Sequence, residues 1–228
     1  MTYELYLGDR SFSSWSLRGW LLFEVFDLPV TVRMVGLYSG TMAQDLAALA
    51  PARQVPTLVT PEGEVIGESL AIAETLAERH PDAGLWPEDP AARARARWLS
   101  AEMHAGFQAL RAACPMQLLH QYVGFTPSDA VLADLARLEE IFASARDLYG
   151  GSGPWLCGRY SIADAFYAPL AARIAGYGLP VSAGLSDYVA QTLADPAFRR
   201  WRDLGLTVSY DPVPYALDLP TVPWPDPV

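Results

Sequence analysis

The sequence predicts an α/β unit followed by an all-helical unit, and three observations carry that reading. Over the first 80 residues, short alternating segments interleave with segments of helical period. A stretch dense in helix breakers occupies 81–89. Beyond it the period is helical throughout, with four separate helix-start signals. At 228 residues the chain holds one large domain or two small ones, and 51% hydrophobic against 18% charged residues describes a folded chain.

Tyr3–Leu7 reads as a strand with Leu5 and Leu7 on one face, and residues 14–26 read as a helix with Leu17, Trp20, Leu21 and Val25 at helical spacing. Pro29 ends that helix, and Val30–Val35 alternates as a second strand. A short helix is expected at Ala43–Leu49, stopped by Pro51. Thr57–Thr60 and Glu64–Gly67 flank Pro61-Glu62-Gly63 as a hairpin, and a helix runs from Ser69 to Glu78. Strand, helix, strand, helix, hairpin, helix is the order of a small mixed sheet covered by helices, the thioredoxin-like arrangement, which sets a first domain at 1–80 and a linker at 81–89.

The helical domain is expected over 90–210. Asp89-Pro90 pairs an N-cap with proline at the first helical position and opens a long helix running toward Cys114. Thr126-Pro127-Ser128-Asp129, with Thr126 as cap, Ser161-Ile162-Ala163-Asp164 and Asp195-Pro196 repeat that logic. The tail 211–228 carries six prolines and is expected to be extended.

Composition excludes several functions. A formal net charge of −10 repels nucleic acid and anionic lipid unless a basic patch exists. All 16 basic residues are arginines, so no lysine is available for Schiff-base or general-base chemistry. Two isolated cysteines, Cys114 and Cys157, are too few for a disulfide framework, and with three histidines they show no metal-ligand spacing. No apolar run approaches a membrane span and no signal peptide precedes the first strand, so a cytoplasmic location is expected.

In a thioredoxin-like unit, the turn into the first helix is where a redox cysteine pair would sit; here it reads Ser13-Ser14-Trp15-Ser16. Dithiol chemistry is excluded there. A helix N-terminus with several hydroxyls remains, and it can either cap the helix or hold an anion such as a ligand's thiolate. Val55-Pro56 is a candidate cis bond that would expose the Val55 N–H and C=O to a peptide-like ligand. Ser69 can cap its helix or, with the amides that follow, grip a carboxylate while Glu68 meets an ammonium.

The segments Ser13-Ser14-Trp15-Ser16-Leu17-Arg18, Pro51-Ala52-Arg53-Gln54-Val55-Pro56-Thr57-Leu58 and Glu68-Ser69-Leu70-Ala71-Ile72-Ala73-Glu74 resemble the three glutathione-site motifs of cytosolic glutathione transferases. They are nearest the serine-dependent zeta class, which includes maleylacetoacetate isomerases. Ser161–Asp164 with Pro169 resembles the capping box in that superfamily's helical domain.

The resemblance implies the two-domain glutathione transferase fold, usually as a homodimer, with glutathione on the first domain and no metal. It implies that Ser13, with Ser14 close by, meets the sulfur, that Gln54, Val55 and Pro56 meet the cysteinyl part, and that Glu68 and Ser69 hold the γ-glutamyl end. Tyr6 is a rival activator, but its place between Leu5 and Leu7 in the strand makes it structural. Two departures stand out. Trp15 occupies the position of a zeta-class cysteine, and Arg173 sits a few positions from the arginine that zeta isomerases use for a substrate carboxylate. A second-substrate pocket is expected in the cleft between domains, walled by Trp15 and by the long helix carrying Trp98, Met103, His104, Phe107 and Arg111, with His104 and Arg111 on one face. The expected activity is attack of a glutathione thiolate on a small electrophile. The alternatives are glutathione-dependent cis–trans isomerisation of an unsaturated diacid, and binding without turnover.

Overall fold

The computed structural model describes residues 2–207 and 216–225. A four-stranded sheet, ordered β2-β1-β3-β4, is built from β1 (Tyr3–Leu7), β2 (Val30–Met34), β3 (Thr57–Val59) and β4 (Val65–Ile66). β1 pairs parallel with β2, Leu5 opposite Val32, and antiparallel with β3, Leu5 opposite Leu58. The period-2 alternation of β1 sends Tyr3, Leu5 and Leu7 into the core, which fixes this register. Helices α1 (Ser14–Glu24), α2 (Met42–Asp45) and α3 (Ser69–Arg79) complete the unit. The expected single helix at 43–49 is instead α2 followed by a 3-10 turn at Ala47–Leu49.

Gly19 lets α1 approach the start of β3: a β-carbon there would come within 2.9 Å of Pro56 Cβ. That close approach sets the Val55-Pro56 turn against α1, and the Val55–Pro56 peptide is cis.

The second part comprises α4 (Pro90–Ala105), α5 (Gln108–Ala113), α6 (Asp129–Tyr149), α7 (Ile162–Tyr177), α8 (Ala183–Ala194) and α9 (Pro196–Gly205). Asp89 caps α4, with its carboxylate accepting from Ala92 N–H at 2.7 Å. The cap of α6 is Ser128, not Thr126. Ser161 and Asp164 form a reciprocal capping box on α7. α7 is buried on nearly all sides and packs against α1, α4 and α8, so one apolar core runs from the sheet unit into the helical unit.

One expectation fails here. The helix from Pro90 does not reach Cys114. It stops at Ala105, and Phe107 takes a left-handed conformation (φ +60°) before α5 begins. The C-terminal part is helical as expected, with one small addition. β5 (His120–Tyr122) pairs antiparallel with β6 (Thr221–Pro223), part of the tail. Positions 211–215 and 226–228 of that tail lie outside the described residues. Among the described residues, no helix is long and apolar enough to cross a membrane.

Candidate active site

A cavity of about 740 Å³ opens between the sheet unit and the helical unit, with the N-terminus of α1 at its edge. Ser13 is the N-cap of α1: its oxygen accepts from Ser16 N–H at 3.2 Å and its hydroxyl donates to Ser16 Oγ at 2.8 Å. Ser16 Oγ also accepts from the buried Gly8 N–H at 2.9 Å. Capping is therefore real for Ser13, and the residue lines the cavity while only 5% exposed. Ser14 lines the cavity half-buried, and its hydroxyl has no hydrogen bond among the described residues.

Gln54, Val55, Pro56, Glu68 and Ser69 line the same side. The Val55 N–H and C=O carry no hydrogen bond among the described residues, so this short edge is open. Ser69 does not cap α3. It is the first helical residue, the N-cap position is held by Glu68, and the Ser69 hydroxyl is buried without a partner among the described residues. Glu68 has φ +63° and ψ 122°, outside the regions that side-chain-bearing residues ordinarily use. That backbone presents the Glu68 carboxylate to the cavity, 3.6 Å from His104 Nε2.

The helical side is cationic. Trp15 stands between the two units, with the Arg18 guanidinium 4.5 Å and the Arg111 guanidinium 5.1 Å from its ring centre, and with His104 packed edge-on at 5.2 Å. Arg18 Nη2 donates to Met103 O at 3.5 Å and Arg111 Nη2 donates to the same carbonyl, one of those left open by the last turn of α4. Arg173 lines the cavity and donates through Nε to Cys114 O at 2.8 Å. Burial pulls the Arg18 guanidinium well below its ordinary value, and the positive charges of Arg111 and Arg173 add to that. Burial also lowers Arg111. His104 is lowered by burial and then by Arg18, against the pull of Glu68.

Of the residues singled out in the sequence, Ser13, Ser14, Trp15, Gln54, Val55, Pro56, Glu68, Ser69, His104 and Arg111 come together in this cavity. Phe107 does not. The break between α4 and α5 turns it into the core, where it is 6% exposed. Trp98 faces outward, with its ring under Arg95 at 4.6 Å and its Nε1 donating to Glu102 at 2.8 Å, while Met103 is a core residue. Tyr6 lies outside the cavity wall and donates to Glu4 on the sheet at 3.3 Å. Burial pushes the Cys114 and Cys157 thiols up to about 12, which leaves both without thiolate character.

Sequence reasoning assigned no role to Arg18, although a charge within the apolar run of α1 was the available signal. Arg173, noted in the sequence only as sitting a few positions from a family arginine, is brought to the wall by helix packing. Among the described residues, no group of three or more His, Cys, Asp or Glu could hold a metal ion.

Comparison with known proteins gives the following likenesses. Residues 12–79 match the family described as glutathione S-transferase, N-terminal domain. The chain is 35% identical over 201 residues to a probable maleylacetoacetate isomerase of Caenorhabditis elegans, covering 85% of this chain and 90% of that one. It is 32% identical over 204 residues to the maleylacetoacetate isomerase of Pseudomonas aeruginosa, covering 86% and 94%. Among solved structures, a glutathione transferase homologue from Burkholderia with bound glutathione aligns at TM-score 0.67 and 24% identity, over 92% of this chain and 100% of that one. The apo form of human glutathione-S-transferase T1-1 aligns at TM-score 0.64 and 24% identity, over 90% of each.

Proposed function

The chain belongs to the glutathione transferase superfamily, near its zeta class, and on that premise we propose that Ser13 stabilises a glutathione thiolate for attack on a small electrophile bound in the cationic half of the cavity. The observation that carries the reading is the meeting of three half-made contacts on one wall: the cap hydroxyls of α1, the open Val55 edge, and the buried, unpartnered Ser69 hydroxyl. A buried hydroxyl without a partner is costly in the free protein, and an arriving acceptor relieves it. These groups suit a tripeptide with a thiol in its middle and a zwitterionic end.

When bound, glutathione supplies the nucleophile, its cysteinyl sulfur. The protein's task is to favour the anion. A thiol near pKa 8.5 lowered by about two units needs roughly 2.7 kcal/mol of preferential stabilisation. One hydroxyl hydrogen bond to a charged acceptor contributes about 1.5–3 kcal/mol and a helix N-terminus about 0.3–1, which together meet that demand. Ser13 is the better-prepared donor, because the Ser16 N–H fixes its oxygen before any anion arrives. Its proton rests on a neutral acceptor, Ser16 Oγ, and a charged acceptor binds it roughly twice as strongly. Ser14, partly exposed and unanchored, is the second donor.

On the same wall, Gln54 and Val55 would hold the cysteinyl backbone, and Ser69 with Glu68 the γ-glutamyl carboxylate and ammonium. Calorimetric titration with glutathione tests this reading. Micromolar to millimolar binding supports it, and no heat at millimolar glutathione overturns it.

A second reading has its own observation. Arg111 and Arg173 both line the cavity, and they suit the carboxylates of an unsaturated diacid undergoing glutathione-dependent cis–trans isomerisation. Turnover of maleylacetoacetate with glutathione unconsumed would select it over conjugation. The family's homodimer is proposed for this chain as well, and sedimentation gives its mass directly.

A further inference from the structure

The cavity wall made by Pro115 and Met116 belongs to no helix or strand. It lies in the stretch 114–119 between α5 and β5, and its carbonyls are held one at a time by side chains from elsewhere. Arg173 Nε donates to Cys114 O at 2.8 Å, Tyr177 Oη to Pro115 O at 2.7 Å, and Arg202 Nε to Leu118 O at 2.9 Å. The buried Gln117 closes the stretch with its own amide: Oε1 accepts from Leu119 N–H at 2.9 Å and His120 N–H at 3.1 Å, and Nε2 donates to His120 O.

The segment 216–225 closes over this stretch from the far end of the chain. β6 pairs with β5, and Pro220 O accepts from Val123 N–H at 2.8 Å to extend the pairing. Trp224, 6% exposed, carries over its ring at 5.4 Å the same Arg202 guanidinium that holds Leu118 O. Gly176 on α7 faces both that ring and Gln117: a β-carbon there would lie at ordinary contact distance, 3.4 Å from Trp224 Cζ3 and 3.7 Å from Gln117 Nε2. Trp224 thus meets the Arg202 guanidinium that holds Leu118 O, and shares the face of Gly176 with Gln117, while lying outside the cavity lining.

We propose that this strap, through Trp224, is a positioning element that fixes the Pro115–Met116 wall and so sets which second substrate the site accepts. The inference rests on the reading above, with glutathione on the α1–α3 side, which the strap does not touch. A displacement of about 1 Å in a substrate-positioning group can cost up to 10²-fold in rate, so a ring that helps to brace this wall through Arg202 bears on fit.

The test uses the full chain with 1-chloro-2,4-dinitrobenzene as the electrophile probe, alongside hydrogen exchange of the backbone amides. Trp224→Ala should raise the KM for the electrophile about fivefold to tenfold and leave that for glutathione within about twofold. Trp224→Phe should recover most of the loss. Exchange should quicken at Met116–Leu119 and stay unchanged at Ser14–Leu17. Should Trp224→Ala prove too unstable to assay, Arg202→Gln removes the guanidinium that links the Trp224 ring to Leu118 O and should give the same split. Equal increases in both KM values, or an unchanged electrophile KM, would overturn the proposal. A wild-type protein that binds no glutathione would sink the reading of the site instead, and unchanged exchange at Met116–Leu119 would still refute the strap by itself.

Discussion

The Ser13 hydroxyl donates a hydrogen bond to the Ser16 hydroxyl at 2.8 Å, while the Ser13 oxygen accepts one from the Ser16 N–H at 3.2 Å. One residue is therefore both the cap of α1 and a fixed donor at the mouth of the cavity. The capping and functional interpretations of the serine run are compatible, because the N–H uses the oxygen's lone pair and leaves the O–H able to donate to a new acceptor.

Ser16 supports that arrangement from behind. Ser16→Ala strips the acceptor from the buried Gly8 N–H and from Ser13. A buried donor left unmet costs about 1–3 kcal/mol. At about 2–4 °C per kcal/mol for a chain of this size, the calorimetric midpoint should fall by several degrees. An unchanged midpoint would mean that water reaches Gly8.

Ser69 should behave in the opposite way. Its hydroxyl is buried and has no partner among the described residues, so Ser69→Ala should leave the melting temperature unchanged or raise it. Glutathione affinity should drop by about tenfold or more, the loss of a hydrogen bond to a charged group. Paired titration and melting curves separate these effects. Loss of stability without loss of affinity would make Ser69 a structural residue.

Arg111 discriminates between the two reactions. It lines the cavity with its guanidinium against Trp15, and Arg111→Ala should raise the KM for an unsaturated diacid by about tenfold or more while changing that for an uncharged electrophile little. Steady-state kinetics with both substrates reads this directly. Equal effects on the two would assign Arg111 to the packing of Trp15.

Asp164 gives a pH signature remote from the site. Its carboxylate accepts from Leu156 N–H, Ser161 N–H, the Ser161 hydroxyl and the Tyr188 hydroxyl, yet burial raises it from its ordinary 3.8 to about 6. Between those values the folded state keeps a proton that the unfolded state has lost, so stability contributed here falls as pH rises across that window and levels off above it. The difference in unfolding free energy between wild type and Asp164→Asn, followed by urea titration from pH 4 to 7, should shrink over that range. A growing difference would mean that the hydrogen bonds outweigh burial and hold the carboxyl low.

Local signals in the sequence account for what was legible. Asp89-Pro90, Ser161–Asp164 and Asp195-Pro196 each start a helix through a side chain that reaches only a few residues along the chain, so sequence suffices to find them. Ser13 at α1 and the alternation of β1 were readable for the same reason. The break at Phe107 was not, because a left-handed aromatic residue is held by its burial in the core rather than by any neighbour in sequence. Nor was the β5–β6 pairing, which joins segments far apart in the chain, neither with a strong strand pattern. Arg173 reaches the cavity because α7 packs against α1 and α4, a relation that spacing along the chain does not encode.

The central claim is that Ser13 makes the thiolate the favoured form of bound glutathione. The most direct measurement is the pKa of the bound thiol, followed by ultraviolet thiolate absorbance across pH in wild type and in Ser13→Ala. Wild type should hold it about two units below the free value, and Ser13→Ala should return most of that shift, at 1.36 kcal/mol per unit. A bound thiol whose pKa is the same in Ser13→Ala as in wild type would contradict the account.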